Sequence, residues 1–220
     1  MRLLICAGGT GGGVYPALTV LRALGSDANP VLWVGGEGGM EAGLIEREGI
    51  PFKAIPAAGL HGVGLKALPG NLLRLARGVT ASRKILAEFQ PDVLLFTGGF
   101  VAAPMAVAAR RLPALLYVPD IEPGLALKFL AKWADCIALT AETSRRYFNS
   151  KARIEVTGYP IRPELSAWSR AAGQKELGLD EGLPTLLVFG GSKGARSLNR
   201  AVTANLNELL ESVQIVHITG

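Results

Sequence analysis

Residues 3–13 read Leu3-Leu4-Ile5-Cys6-Ala7-Gly8-Gly9-Thr10-Gly11-Gly12-Gly13, five apolar positions running without alternation into five glycines among six. A strand with no polar side is buried on both faces, which predicts a parallel sheet covered by helices above and below. Two later stretches repeat the plan: Val93-Leu94-Leu95-Phe96-Thr97-Gly98-Gly99-Phe100 and Leu186-Leu187-Val188-Phe189-Gly190-Gly191-Ser192. Each sets a Gly-Gly turn between a buried strand and a helix. Working outward, strand-length apolar runs lie at 3–6, 31–34, 52–55, 93–96, 114–117, 136–139, 154–156, 186–189 and 214–218. Helical patterns fall between them at 15–24, 40–48, 72–89, 104–110, 124–133, 142–148 and 195–210. This alternation predicts a doubly wound α/β fold.

The alternation lapses over 158–183, where Pro160, Pro163 and the polar run Ser166–Lys175 replace strand-length apolar segments. The expected organisation is a Rossmann-like N-terminal domain at 1–162, a linker at 163–184, and the first β-α-β of a second such domain at 185–220. Two strands and a helix bury too little to stand alone, so the remainder of that second domain is expected outside this chain.

Composition narrows the function classes. The chain has 220 residues, 49% of them hydrophobic, and its 28 glycines cluster in turns, which argues against disorder. No apolar run approaches the roughly 20 residues that span a bilayer, and the apolar start at 3–7 is too short for a signal peptide. Cys6 and Cys136 sit in apolar strands with no CxxC, and only His61 and His217 accompany them. Buried thiols in a reducing cytoplasm are expected, not a disulfide framework or a zinc site. Of the net charge of +5, residues 63–87 carry everything: Lys66, Arg74, Arg77, Arg83 and Lys84 with no acid. A surplus confined to one segment fits a local anionic partner and not a protein that coats nucleic acid.

Gly8-Gly9-Thr10-Gly11-Gly12-Gly13 lets backbone N–H groups and the positive end of a helix come close to an anion such as a diphosphate. It is no dinucleotide fingerprint, because Val14 stands where the third glycine would fall, and no P-loop, because Gly-Lys-Ser/Thr does not follow. Gly190-Gly191-Ser192-Lys193-Gly194 adds a hydroxyl and an ammonium in the same setting, and Ser192 equally suits a helix cap. Gly98-Gly99 ahead of Pro104 reads as a third such turn or as ordinary turn chemistry. Tyr117-Val118-Pro119-Asp120-Ile121-Glu122-Pro123-Gly124 follows a strand, so Asp120 and Glu122 are candidate bases or residues that favour the next helix N-terminus. His61, alone in a glycine-rich loop, reads as incidental. Leu68, Leu72, Leu75, Val79 and Leu86 share one helical stripe opposite Arg74, Arg77 and Lys84. That stripe either faces the core or lies on an anionic bilayer, with Leu60 and Leu65 dipping into the headgroups.

Taken together, Gly8-Gly9-Thr10-Gly11-Gly12, Met40-Glu41, Gly59-Leu60-x-Gly62, Gly98-Gly99-Phe100-Val101, Gly158-x-Pro160-Ile161-Arg162 and Gly190-Gly191-Ser192-x-Gly194-Ala195-x-x-Leu198-Asn199 resemble the MurG transferases of glycosyltransferase family 28. The resemblance runs through essentially the whole chain. It implies a GT-B fold, with the acceptor mainly on the N-terminal domain and the sugar nucleotide mainly on the C-terminal one. It implies inverting transfer of N-acetylglucosamine from UDP-GlcNAc to undecaprenyl-diphospho-muramoyl-pentapeptide (lipid I), giving lipid II for peptidoglycan and the cell wall, without a bound metal. Substrate contacts carry over to Thr10, Gly11, Gly12, Arg162 and Ser192, with Asp120 near the acceptor. The segment holding Leu65, Lys66, Leu68, Leu72, Arg74 and Arg77 matches the part by which this family rests, as a peripheral protein, on the cytoplasmic leaflet.

The chain departs from the family at three places. Gly13 stands where the first loop has histidine, Tyr117-Val118-Pro119-Asp120 replaces His-Glu-Gln-Asn, and Tyr159-Pro160-Ile161-Arg162 replaces Asn-Pro-x-Arg. Three readings follow: Asp120 or Glu122 serves as base, the acceptor differs, or the chain is a weakened member of the family. A non-catalytic module that binds nucleotide sugar or lipid diphosphate, lacking a complete donor domain, is the further alternative.

Overall fold

β1 (Leu3–Ala7) is buried along its whole length. Leu4 and Cys6 enter one core cluster, while Leu3, Ile5 and Ala7 enter the other, as the two-residue period of a strand dictates. The computed structural model describes residues 1–9, 11–59, 68–148, 151–191 and 194–220, in two compact units, Met1–Ile161 and Arg162–Gly220.

In the first unit, β1 is followed by α1 (Gly11–Leu24), β2 (Val31–Gly36), α2 (Glu41–Arg47), β3 (Phe52–Ile55) and α3 (Leu68–Phe89). Then come β4 (Val93–Gly98), α4 (Ala102–Ala108), β5 (Ala114–Val118), α5 (Leu125–Leu130), β6 (Cys136–Leu139), a 3₁₀ turn (Glu142–Tyr147) and β7 (Arg153–Val156). The strands form a seven-stranded sheet in the order β3-β2-β1-β4-β5-β6-β7, and every neighbouring pair is parallel. The chain runs outward from β1 in one direction and then, from β4, in the other. The order therefore reverses between β1 and β4, where ligands of doubly wound sheets bind at the carboxyl ends of the strands. One core lies between the sheet and α3, α4 and α5, with Ile85, Met105 and Leu127 fully packed. The other lies under α1 and α2, where Val14, Ala17, Leu18 and Ile45 meet Trp33 and Leu95.

In the second unit, α6 (Pro163–Ser166) and α7 (Arg170–Leu177) precede β8 (Thr185–Phe189), α8 (Arg196–Ala204), α9 (Leu206–Leu210) and β9 (Gln214–Ile218). β8 and β9 pair in parallel. Ser169 caps α7 by accepting from the Ala172 N–H, and Gly178 ends it in the left-handed conformation. The stretch 163–184, read above as a linker, thus holds two helices. One face of the small sheet is open, with Leu187 and Phe189 exposed.

Every predicted strand is present, but several helices differ. α1 begins at Gly11, not at Tyr15, so the glycines are its first turn and not a loop ahead of it. Glycine and the internal Pro16 are poor helix formers, and tertiary contacts override them: Val14, Ala17 and Leu18 are buried, and Thr97 Oγ1 donates to the Gly13 carbonyl at 2.6 Å. The run 195–210 splits at Asn205, whose amide donates back to the Ala201 carbonyl and competes with the backbone ladder. Residues 142–147 form a 3₁₀ turn. On α3 the buried line is Gly78, Ser82 and Ile85, with Leu75, Val79 and Leu86 half-buried beside it, while Leu72 and Leu73 stand 56% and 54% exposed. Cys6 is buried as expected, but Cys136 is only partly covered. Burial, with the nearby Glu41 charge, pushes the Cys6 thiol far above its ordinary range, which keeps it an inert core group.

Candidate functional site

The turns after β1 and β4 meet at the point where the strand order reverses. The β1–β4 register slips between Cys6 and Ala7, so that Ala7 pairs with Gly98. Gly98 and Gly99 both have positive φ, +114° and +84°, a region that side chains strain. A Cβ on Gly99 would stand 2.6 Å from the Gly8 carbonyl oxygen. The two Gly-Gly turns are therefore in backbone contact, and α1 rises from this contact with its first-turn N–H groups free of helical partners. Those donors and the positive helix end face the carboxyl edge of the sheet, an arrangement that favours an anion. Gly11 and Gly12 lie in this turn. Gly13 is buried there, and a Cβ on it would meet Thr97 only at ordinary distances of 3.4 and 3.6 Å.

Beneath the turn lies a residue that sequence reasoning quoted but gave no role. Glu41, the first residue of α2, is 1% exposed. Its Oε1 accepts from the Gly36 N–H at 2.8 Å and its Oε2 from the Gly9 N–H at 3.2 Å. The glycines around Met40-Glu41, at 35, 36, 38 and 39, were the available signal. Gly9 itself has φ +87° and open space around it.

A second group of polar contacts lies two strands away, at the end of β5. Tyr117 is buried, with its hydroxyl 2.8 Å from Thr140 Oγ1. Thr140 Oγ1 also lies 3.0 Å from the Val118 carbonyl, and either hydroxyl can donate in the Tyr117–Thr140 pair. The Gly158 carbonyl lies 3.4 Å from the phenol oxygen, and the Tyr159 ring packs edge-on at 6.3 Å. Burial pushes the Tyr117 phenol above its ordinary range; the Thr140 hydrogen bond opposes this, while Tyr159 and the Asp120 charge add to it. Asp120 and Glu122 are both exposed in the segment between β5 and α5. Neither caps α5, whose N-cap is Gly124 without a side-chain bond. Ser144 Oγ, from the 3₁₀ turn, donates to the Asp120 carbonyl at 3.4 Å. Asp120 therefore stands beside Tyr117 on an anchored backbone.

In the second unit, the Gly190-Gly191 turn follows β8, and Gly191 and Gly194 have φ +80° and +67°. A Cβ on Gly194 would overlap the Thr219 carbonyl at the end of β9. Asn199 ties the same end down, donating to the Thr219 carbonyl at 2.8 Å and meeting His217 Nε2 at 3.0 Å. Arg162 is exposed at the N-cap of α6. Of the residues expected to touch substrate, the structure brings Gly8, Gly9, Gly11, Gly12, Gly98 and Gly99 together. It sets Asp120 beyond β4, on β5's exit, and places Gly190, Gly191, Gly194 and Arg162 in the second unit. Thr10, His61, Leu65, Lys66 and Ser192 lie outside the described residues.

Residues 3–139 match the glycosyltransferase family 28 N-terminal domain, and residues 185–220 match the glycosyltransferase family 28 C-terminal domain. The UDP-N-acetylglucosamine–N-acetylmuramyl-(pentapeptide) pyrophosphoryl-undecaprenol N-acetylglucosamine transferase of Roseiflexus sp. (strain RS-1) is 39% identical, the match covering 100% of this chain and 60% of that protein. Acinetobacter baumannii MurG, a crystal structure, aligns with a TM-score of 0.71 at 27% identity, covering 100% of this chain and 60% of its own. Anabaena HepE in complex with UDP and glucose aligns with a TM-score of 0.64 at 13% identity, covering 99% of this chain and 69% of its own, a likeness of fold. The chain thus spans about 60% of the length of the curated relative, and its fold is of the GT-B class that the sequence implied.

Proposed function

The chain belongs to glycosyltransferase family 28, and from that premise we propose that it carries the acceptor side of an inverting transferase moving N-acetylglucosamine from UDP-GlcNAc to undecaprenyl-diphospho-muramoyl-pentapeptide. The observation that carries this reading is the contact between the Gly8-Gly9 and Gly98-Gly99 turns at the switch point of the sheet. Backbone donors of α1 suit a diphosphate, which has no base edge or ring to read and needs N–H groups at close range. The acceptor hydroxyl attacks the anomeric carbon in line as UDP departs, and a carboxylate takes its proton. Asp120 is the better placed of the two candidates, because its backbone is held by Ser144 and its charge reaches Tyr117. Arg162 and the Gly190-Gly191 turn suit further diphosphate contacts.

The test is GlcNAc transfer by the full-length protein to a lipid I analogue from labelled UDP-GlcNAc, with EDTA as a second arm. Lipid-linked product formed equally with and without EDTA is expected. No product with this acceptor, but transfer to a different diphospholipid, would move the reading to another acceptor; a strict metal requirement would count against the family mechanism.

Leu72 and Leu73, exposed beside Arg74 and Arg77 at the start of α3, support a peripheral seat on an anionic leaflet, with the apolar pair entering the interface and the guanidiniums among the headgroups. Among the described residues no helix is long and apolar enough to cross a membrane. Flotation with anionic vesicles is expected, and it should fade as salt rises. Equal binding to neutral vesicles would exclude the basic patch as the cause.

A further inference from the structure

The glycine content of the first turn has two sources, and only one is a ligand. A Cβ on Gly8 or on Gly39 would fall inside the Glu41 carboxylate, and one on Gly35 would stand 2.8 Å from Glu41 Cγ. Three glycines, Gly8 after β1, Gly35 within β2 and Gly39 after it, thus form a socket for one side chain. That side chain is acidic and fully enclosed, a placement that destabilises unless the oxygens are hydrogen-bonded. Both oxygens are bonded, and to backbone N–H groups of two segments: Gly9 after β1 and Gly36 at the end of β2. A hydrophobic residue would fill the same socket without the desolvation cost, so burial alone gives no reason for a carboxylate here. What a carboxylate adds is a fixed distance between the Gly9 and Gly36 N–H groups that it bridges.

We propose that Glu41 is a positioning residue for the anion-binding turn. By taking the Gly9 N–H it removes that donor from the ligand side and sets the path of the backbone into Gly11, so that the first-turn N–H groups of α1 are the ones presented to the diphosphate. The proposal rests on the transferase reading for its substrate, but not for its geometry. A carboxylate that only filled space would tolerate loss of one hydrogen bond with a general loss of stability. One that aims the turn loses function first and locally.

Glu41→Gln in the full-length enzyme separates these cases. The amide keeps the volume and one carbonyl oxygen, enough to hold Gly36, while its NH2 opposes the Gly9 N–H. Transfer to the lipid acceptor is expected to lose about tenfold or more in kcat, as misplacement of a substrate-orienting backbone does, with KM for UDP-GlcNAc within about twofold. In deuterium exchange, the peptide carrying Gly8, Gly9 and Gly11 should exchange faster, while peptides from α4 and β6 stay as in the parent. Parental kcat with an unchanged exchange pattern overturns the proposal. So does faster exchange throughout the first unit, which marks a residue that merely holds the fold. Failure of the transferase reading looks different: the parent enzyme itself transfers no sugar, and a local exchange response to Glu41→Gln still supports the positioning of the turn.

Discussion

Gly99→Ala is expected to destabilise the first unit by about 2–5 kcal/mol and to abolish transfer. Two costs add. The backbone at 99 sits at φ +84°, where a side chain costs of order 1–2 kcal/mol. The new methyl would also stand 2.6 Å from the Gly8 carbonyl oxygen, a backbone atom that cannot rotate away, and overpacking of that kind costs roughly 1–3 kcal/mol. Relief requires the two glycine turns to separate, which moves the very groups proposed to face the diphosphate. Urea denaturation followed by circular dichroism measures the first effect and the transfer assay the second. Gly43→Ala is the control: its φ is ordinary, it is exposed in α2, and among the described residues nothing outside its own helix turn and chain neighbours lies within 4 Å of a Cβ placed there. It should be neutral or stabilising by up to about 1 kcal/mol. A melting curve for Gly99→Ala that overlays the Gly43→Ala curve would mean the turns are not in contact.

Asp120→Asn is expected to lower kcat by about 10² or more while leaving KM for UDP-GlcNAc nearly unchanged, the pattern of a lost general base. Asparagine keeps the shape and the Ser144 contact to the Asp120 carbonyl, so the loss would report chemistry and not folding. Glu122→Gln should cost far less, since Glu122 is exposed and the Ser144 contact is made to the Asp120 carbonyl and not to Glu122. If the ranking is reversed, Glu122 is the base; if both variants turn over like the parent, neither carboxylate takes the proton.

The strands were legible because burial on two faces leaves a mark that needs no knowledge of neighbours: Leu3-Leu4-Ile5-Cys6-Ala7 can be nothing but covered on both sides. Helix edges were less so. Gly11, Gly12 and Gly13 look like loop by propensity, yet the Thr97 hydroxyl and the packing of Val14 draw them into α1. On α3 the apolar period continues to Leu72, yet the buried line is Gly78, Ser82 and Ile85, and Leu72 stands exposed. At the site, glycine turns announced themselves by composition. Glu41 did not, because an acid at a helix start ordinarily faces water, and its burial depends on a partner 32 residues away.

From the sequence alone came the α/β class, the strand positions, the glycine turns and the family resemblance, all of them set by local pattern or by residue identity in order. Tertiary structure decided which turns touch, that Ser144 reaches back to the Asp120 carbonyl, and that part of the glycine content serves a buried carboxylate. Those facts follow from strand order and from contacts between residues far apart in the chain, and such contacts leave no period in the sequence to read.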